Sequence, residues 1–332
     1  MTPSPAVDVH AHFYPEAYLR LIEREGGPFG AGVSWASPEG PVIEIGGRRI
    51  GPLRPAFIDL DRRRREMDRQ RVGVHALSLT LPMVYWADGP FGLRLARAVN
   101  DALVEAHTAF PDRFVGLAML PMHDPGLALD ELTRVARLPG IRGVYAGTNI
   151  AGTELSAPQF LPVYRRLAAL GLPLLLHPID VIGAKRLGPY QLGNLLGNPF
   201  DTAVAAAHLV FGGVLDRVKR LRVCLPHAGG AFPSLIGRLD RGWRVRAECR
   251  HLPRRPSAYL RRFWYDTLSH APGALRYLVD LVGVDRVVLG SDYCFDMGTD
   301  RPVQAVTGLP GLRAADRARI LSGNAVRLLG LR

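Results

Sequence analysis

Lysine is almost absent from this chain. Of its 42 basic residues only Lys185 and Lys219 are lysines, although the net charge is +12 at pH 7. The positive charge is therefore arginine, and it is scattered along predicted helices in mixed runs such as 61–66 and 313–319. Solvated helix faces explain runs of this kind. We therefore expect no nucleic-acid partner, and a small anionic substrate fits the charge at least as well.

Cysteine and long apolar runs are also scarce. The three cysteines, Cys224, Cys249 and Cys294, form no CxxC pair, which predicts free thiols and a reducing compartment. No apolar stretch reaches the roughly 18 residues that a membrane-spanning helix needs. The first residues also show no signal-peptide pattern. These observations lead us to expect a cytoplasmic protein with no membrane partner.

Short runs rich in Val, Ile and Leu alternate with longer amphipathic stretches along the whole chain. This alternation is typical of strands in a buried parallel sheet that are joined by helices. Eight runs have it, at residues 7–12, 74–79, 114–119, 143–148, 172–177, 222–227, 263–268 and 287–292. Eight alternations predict an α/β fold, a (β/α)8 TIM barrel, with residues 1–332 forming one domain.

Residues 26–55 interrupt this pattern. They are rich in glycine and proline, and an apolar run at 42–45 is followed directly by the pair Gly46-Gly47. A glycine pair between two short strands predicts a tight turn, so we expect a small β-hairpin subdomain inserted after strand 1. A second glycine-rich connection, residues 178–199, is expected to cover the barrel mouth as a loop.

The ends of the predicted strands carry side chains that suit metal binding. His10 and His12 alternate along the first strand, so both imidazoles point to one side near its C-terminal end, where barrel active sites are built. His177, His227 and Asp292 each end another apolar run. Burying five such groups without partners is costly. We therefore expect them to converge at one mouth of the barrel.

The residue types favour a single metal ion. Three imidazoles and a carboxylate suit a divalent ion, with zinc as the default and one position open for water. The residue types alone do not decide whether His227 is a further metal ligand. Many barrel hydrolases bridge two metals with a lysine near the end of strand four, but neither Lys185 nor Lys219 is near that position. A mononuclear site follows.

Specific motifs span nearly the whole chain. They are Asp8-Val9-His10-Ala11-His12-Phe13, His177-Pro178 with Asp180, His227-Ala228-Gly229-Gly230, Gly237-Arg238-Leu239-Asp240 with Trp243, Leu289-Gly290-Ser291-Asp292-Tyr293 and Ser322-Gly323-Asn324-Ala325. In these motifs the chain resembles the amidohydrolase superfamily, and within it the group around 2-amino-3-carboxymuconate-6-semialdehyde decarboxylase.

The resemblance implies a division of roles among the five strand-end residues. The ion would be held by His10, His12, His177 and Asp292. It would be Zn²⁺, with Mn²⁺ as the alternative. His227 would serve as the acid/base, a role in which an imidazole can titrate near working pH.

The resemblance also implies how substrate is held. Arg54 matches an arginine that grips a substrate carboxylate, and Arg238 matches one that reaches into the neighbouring subunit's site, so a homodimer is expected. The guanidinium fork suits this work because it binds a carboxylate through two hydrogen bonds. Phe295 matches an aromatic wall of the pocket, and Tyr190 is assigned a similar part.

The implied activity is metal-dependent, non-oxidative decarboxylation of an unsaturated or aromatic carboxylic acid. The alternative is a hydrolase or hydratase of the same superfamily acting on an ester, lactone, amide or alkene. A catalytically idle metal-binding module is disfavoured by the complete ligand set. Two departures concern the substrate: Cys294 stands where the family usually has proline, and residues 147–150 differ from the decarboxylase pattern.

Overall fold

The structure, a computed structural model, describes residues 5–331. The strands are β1 Ala6–His12, β2 Ala31–Ser34, β3 Val42–Ile45, β4 Arg48–Ile50, β5 Val72–Ser78, β6 Phe114–Met119, β7 Ile141–Gly147, β8 Asn149–Ile150, β9 Thr153–Glu154, β10 Leu174–His177, β11 Val223–Leu225, β12 Phe263–Asp266 and β13 Val287–Val288. The α-helices are α1 Glu16–Glu25, α2 Leu60–Gln70, α3 Gly89–Ala109, α4 Pro125–Val135, α5 Leu161–Leu170, α6 Asn198–Phe211, α7 Val214–Arg217, α8 Phe232–Val245, α9 Pro272–Val282, α10 Pro302–Thr307, α11 Ala314–Ala318 and α12 Asn324–Leu329.

Eight of these strands form one parallel sheet that closes into a barrel. Their order around the sheet is β1-β5-β6-β7-β10-β11-β12-β13, so strands that follow one another in the chain's βα units are neighbours. The last strand returns to the first, because the N–H of Val9 donates to the carbonyl of Leu289 at 2.9 Å and Ala11 bridges Tyr293. The predicted TIM barrel is confirmed.

Several barrel strands end earlier than the sequence predicts, and two of them end before a predicted site residue. The runs at 222–227 and 287–292 are strands only over Val223–Leu225 and Val287–Val288. The polar residues beyond them, His227 and Asp292, have left-handed backbone conformations with φ of 53° and 58°. This conformation cannot continue a strand. Both residues therefore lie just beyond the ends of their strands, at the carboxyl edge of the sheet. The candidate active site lies at this edge.

Three helices begin at an aspartate cap. Asp59, Asp88 and Asp124 precede α2, α3 and α4, and each carboxylate accepts a hydrogen bond from a backbone N–H in the first turn at 2.8–3.0 Å. Such caps satisfy an N–H that has no partner within the helix.

Among the described residues, no helix combines the length and apolar character that crossing a membrane requires.

One arginine of the run 61–66 is completely buried. Arg63 has 0% exposed surface, its guanidinium donates to the carbonyls of His12 and Ala56, and it lies 4.7 Å from the ring centre of Tyr293. The expectation that this run is a solvated helix face is therefore wrong for Arg63. The reason is that helix α2 turns this position toward the barrel.

The inserted segment contains a three-stranded antiparallel sheet. Strands β3 and β4 form a hairpin whose turn is Gly46 and Gly47, with φ of 54° and 78°. Glycine adopts this left-handed region without a steric penalty. Strand β2 pairs with the other edge of β3, so the structure has one strand more than the predicted hairpin. Helix α1, which precedes this sheet, was not predicted from the sequence.

Candidate active site

Strand β1 brings three polar side chains to the interior of the barrel. Asp8, His10 and His12 alternate along it, and all are buried. The Asp8 carboxylate accepts hydrogen bonds from the backbone N–H groups of His10 at 2.9 Å and Ser291 at 3.2 Å. Burial raises the pKa of Asp8 to about 6. Asp8 therefore ties the end of β1 to the segment that carries Asp292.

His10 is oriented by a carboxylate from the other side of the barrel. Its Nδ1 lies 2.7 Å from Oδ2 of Asp266, at the end of β12. This contact keeps a proton on Nδ1, so that a bound metal ion would take the place of a proton on Nε2. Nε2 is buried, has no hydrogen-bond partner among the described residues and lies 3.3 Å from Oδ1 of Asp292. It is directed into the site as a metal ligand would be.

The rings of His12 and His177 are held in a similar way. Nδ1 of His12 lies 3.2 Å from the Ser78 hydroxyl, and its Nε2 lies 2.8 Å from Oδ1 of Asp292. Nδ1 of His177 donates to the carbonyl of Pro178 at 3.1 Å, which leaves its Nε2 free. Burial lowers the pKa of His12 to about 4 and holds the pKa of His177 well below its usual value. Both rings are therefore neutral at pH 7, the form that binds metal.

The centre of the site stabilises positive charge. Burial alone would lower the pKa of His10, but the carboxylates of Asp292 and Asp266 outweigh burial and raise it to about 10. Burial likewise acts to raise the pKa of Asp292, yet the charge of His10 and hydrogen bonds from neighbouring rings hold it well below its usual range. Two buried carboxylates thus favour a cation between them.

The donor atoms are close enough together to share one ion. One ligand atom from each of His10, His177, His227 and Asp292 lies within 4.8 Å of the others. Together with the unpartnered Nε2 of His10, this arrangement fits a single divalent metal ion. His12 is not one of these four, although its Nε2 contacts Asp292. The assignment of His12 as ligand and His227 as acid/base stays a prediction.

His227 is the most exposed of the five groups, with 14% of its side chain accessible. Its Nε2 lies 3.7 Å from Oδ2 of Asp292, while its Nδ1 is buried without a hydrogen-bond partner among residues 5–331. The backbone N–H groups of His227 and Ala228 donate to the Asp266 carboxylate at 3.0 and 2.8 Å. Asp266 therefore positions both the ring of His10 and the turn that carries His227.

Gly290, two residues after β13, lets the backbone pass close to Asp266 on β12 and His10 on β1. A Cβ at position 290 would lie 2.7 Å from Cβ of Asp266 and 3.0 Å from Cβ of His10. Neither neighbour can retreat, because their side chains bond to each other. A larger residue would therefore separate the carboxylate from the imidazole that it orients.

Asp266 was missed in the sequence. It follows three aromatic residues, Phe263 to Tyr265, and it ends β12 as His177 ends β10. The predicted strand 263–268 ran two residues past Asp266, to Leu268, so the strand-end criterion passed over it; applied to β12 as the structure bounds it, the criterion finds Asp266. The structure shows why the criterion works here, since the Asp266 carboxylate lies at the same edge as the five predicted groups.

A cavity of about 330 Å³ opens beside this centre. His227 and Asp292 line it, and so do Asn194 and Leu195 of the predicted mouth loop 178–199. Its volume is in the range of small-molecule sites. The carboxyl edge of the barrel therefore combines a metal-binding cluster with space for a small ligand.

The predicted substrate-binding residues lie in different places. The Phe295 ring is 5.3 Å from the ring of His12. The exposed Arg54 donates to the carbonyl of Cys294. Arg54 and Phe295 together line two other cavities, of about 160 and 330 Å³, and neither residue lines the cavity beside His227.

The structure does not bring Arg238 or Tyr190 to this centre. Arg238 is exposed on α8, and Tyr190 is 87% exposed in the mouth loop. Neither lines the main cavity. Within this chain, neither residue is placed where it could contact a ligand in that cavity.

Comparison with known proteins assigns the chain to a family over nearly its whole length. The model of the family described as Amidohydrolase matches residues 7–331. The chain belongs to the amidohydrolase family. Within that family it is 34% identical to 2-amino-3-carboxymuconate-6-semialdehyde decarboxylase of Dictyostelium discoideum, over 98% of this chain and 91% of the relative.

Solved structures of amidohydrolase relatives agree with this assignment. The 5-carboxyvanillate decarboxylase of Sphingomonas paucimobilis superimposes with a TM-score of 0.84 at 27% identity, covering 99% of both chains. The dihydroxybenzoic acid decarboxylase of a Polaromonas species, with bound manganese and the inhibitor 2-nitroresorcinol, gives 0.81 at 25% identity, covering 99% of this chain and 97% of that one. These relatives confirm the predicted family and its decarboxylase class.

Proposed function

We propose that this amidohydrolase-family protein is a metal-dependent, non-oxidative decarboxylase of a small aromatic or unsaturated carboxylic acid. The observation that carries the proposal is the cluster of His10, His177, His227 and Asp292, whose ligand atoms lie within 4.8 Å of one another beside a cavity of about 330 Å³. The names of the relatives support the reaction and the substrate class. The cavity volume suits a single substituted ring.

One divalent ion would be held by His10, His12, His177 and Asp292, with His227 beside it. We propose Zn²⁺, which the imidazole-rich donor set favours, and Mn²⁺ is the alternative that one relative supports. Bound there, the ion supplies positive charge that stabilises the electron pair left when the carboxylate departs.

His227 would deliver the proton that replaces carbon dioxide. In the reaction the bond from carbon to the carboxylate breaks, its electron pair stays on the carbon, and a proton from Nε2 of His227 forms the new bond to hydrogen. The partial exposure of His227 lets Nε2 meet substrate in the cavity. Its backbone bonds to Asp266 hold the ring in place for this transfer.

Arg54 would grip a carboxylate of the substrate, and Phe295 would form a wall beside the ring. Arg54 is exposed, forms no ion pair among the described residues and lines two other cavities together with Phe295. A guanidinium without a carboxylate partner of its own is available for an anionic ligand.

Arg238 would complete the site of a second copy of the chain. It is exposed on α8 and has no ion pair or side-chain hydrogen bond within residues 5–331, which supports a partner outside its own barrel. The active unit is then a homodimer. Three free thiols support the expected cytoplasmic location.

The reaction is tested by incubating metal-reconstituted protein with carboxylated phenols and muconate semialdehydes while following carbon dioxide and absorbance. We expect carbon dioxide release without net uptake of water. Hydrolysis or hydration without carbon dioxide would contradict the proposal.

The roles are tested with two variants. His12→Ala should lose the metal, whereas His227→Ala should keep the metal and lose turnover. Retained metal in the first variant, or wild-type turnover in the second, would overturn the assignment.

The dimer is tested by complementation. Arg54→Ala and Arg238→Ala should each be inactive alone, but after mixing and subunit exchange a hybrid dimer holds one intact site, so about 25% of wild-type activity should return. If Arg238 acted within its own chain, both damaged residues would stay in separate sites and no activity would return.

A further inference from the structure

Ser78 places a buried hydroxyl beside the metal centre. It ends β5, pairs directly with His12 of β1 in the parallel sheet, and has 0% exposed surface. The N–H of Phe13 donates to its backbone carbonyl at 2.8 Å, so the main chain is fixed at this position. Only the direction of the side-chain hydroxyl is free to vary.

The Ser78 hydroxyl has two neighbours with which it can form hydrogen bonds. Its oxygen lies 3.3 Å from the carbonyl oxygen of Ala11 and 3.2 Å from Nδ1 of His12. A carbonyl can only accept, whereas a nitrogen of a neutral imidazole either donates or accepts. Ser78 can therefore donate to Ala11 while it accepts from Nδ1, or it can donate to Nδ1 itself.

The other two histidines proposed as ligands have partners of a different kind. Nδ1 of His10 faces the carboxylate of Asp266 at 2.7 Å, and Nδ1 of His177 faces the carbonyl of Pro178 at 3.1 Å. Both partners only accept, so each keeps a proton on Nδ1. The Thr80 hydroxyl, 3.0 Å from the same nitrogen of His177, does not change this, because the carbonyl already requires the proton there. In both rings the proton on Nδ1 is fixed.

His12 also differs at its other nitrogen. Its Nε2 lies 2.8 Å from Oδ1 of Asp292, which is a hydrogen-bond distance. An ionised carboxylate only accepts, so this bond requires a proton on Nε2. The ring is neutral at pH 7, because burial lowers its pKa to about 4. With its one proton on Nε2, the ring must accept a hydrogen bond from Ser78 at Nδ1.

His12 needs the opposite arrangement in order to bind a metal ion through Nε2. The ligand nitrogen must then be free of its proton, which moves to Nδ1. Nδ1 donates to Ser78, and Ser78 donates to the carbonyl of Ala11. The two forms differ in the position of one proton and not in charge. Bulk water cannot replace Ser78, because the ring is 0% exposed and packs against Tyr145 and Phe295.

We propose that Ser78 is a positioning residue of the metal centre, whose hydroxyl reverses its direction on metal loading. The proton of His12 then moves from Nε2 to Nδ1, and neither form leaves Nδ1 buried without a partner. This inference rests on the proposed function for the assignment of His12 as a ligand. The loaded form uses two hydrogen bonds of the Ser78 hydroxyl, whereas the metal-free form uses one.

The test locates the ring proton of His12 by NMR in wild-type protein labelled with ¹⁵N in its histidines, first metal-free and then loaded with diamagnetic Zn²⁺. Correlations between ring hydrogens and ring nitrogens show which nitrogen bears the proton, and the His12 signals are those absent from His12→Ala. We expect the proton on Nε2 in the metal-free protein and on Nδ1 in the zinc form. A proton on Nδ1 in both forms would overturn the role of Ser78.

Ser78→Ala removes the hydroxyl with little change in size. Because the loaded form loses one hydrogen bond more than the metal-free form, the dissociation constant for Zn²⁺ should rise about fivefold. The matched control is Ser322→Ala, at a buried serine whose hydroxyl has no hydrogen-bond partner among the described residues. An unchanged dissociation constant in the first variant, or an equal rise in the second, would contradict the proposal. If Ser78→Ala does not fold, the NMR result on the wild type still decides.

The outcomes separate this inference from the proposed function. If zinc changes neither ring nitrogen of His12, the proposed ligand set is wrong and the role of Ser78 fails with it. If the proton moves as expected but no carboxylic acid loses carbon dioxide, the decarboxylase function is contradicted and the role of Ser78 stands.

Discussion

Replacing Asp266 with asparagine should weaken metal binding although Asp266 is not itself expected to bind the ion. The carboxylate lies 2.7 Å from Nδ1 of His10 and fixes the proton there. Asparagine has nearly the same shape, but its amide can present N–H groups toward Nδ1. The ring of His10 would then carry its proton on Nε2, the atom that points into the site.

The size of the effect follows from this one contact. A hydrogen bond to a charged group contributes about 1.5–3 kcal/mol. Loss of such an orienting partner usually lowers metal affinity by about 10–100-fold, which corresponds to about 1.4–2.8 kcal/mol. The two ranges agree. We therefore expect the dissociation constant of the metal to rise by about 10–100-fold in Asp266→Asn.

The measurement is competition for Zn²⁺ and Mn²⁺ between the metal-free protein and a chelating dye, with thermal unfolding of both forms as a check on folding. Because the bound metal stabilises the native state by mass action, the rise in Tm on adding metal should also be smaller in the variant. Asp130→Asn, the same change at an exposed position on α4, should leave both quantities unchanged. A folded Asp266→Asn protein with wild-type affinity would refute the orienting role.

Two further predictions concern burial. Arg63→Ala should lower the free energy of unfolding in urea by about 3–5 kcal/mol, because it leaves two buried carbonyls unpaired and removes packing. Arg65→Ala, on the exposed face of α2, should change this free energy little. Similar losses in both variants would contradict this account. A thiol reagent at pH 8 should label Cys249 rapidly but not Cys224 or Cys294 in the native protein. Burial raises the pKa of Cys294 to about 12 and that of Cys224 well above its usual value. At pH 8 only about one Cys294 thiol in 10⁴ is therefore ionised. Fast labelling of all three cysteines before denaturation would contradict this prediction.

The strand-end residues could be predicted because their pattern is local. In a strand, alternate side chains share a face, and in a barrel all carboxyl ends meet at one edge. His10, His12, His177, His227 and Asp292 follow these rules, and the structure brings all five together. The resemblance to a known family then supplied roles that geometry alone does not separate, since the ligand atoms that lie within 4.8 Å of one another include one of His227 and none of His12.

Other features could not be inferred from local pattern. Arg63 belongs to a run of arginines that is exposed elsewhere, and only the packing of α2 against the barrel shows that it is buried. Arg238 and Tyr190 were assigned to substrate, but the structure leaves both exposed and away from the main cavity. The cavity is lined by residues of both the mouth loop and the turn after β12, and no spacing in the sequence shows that these segments meet.

The sequence alone determined the barrel and the edge at which its chemistry lies, because hydrophobic periodicity and strand-end polarity are properties of neighbouring residues. The tertiary structure decided which groups act on one another. Asp266 and His10 are 256 positions apart in the chain, and they meet because closure of the sheet brings β12 and β1 to the same edge and Gly290 leaves room between them.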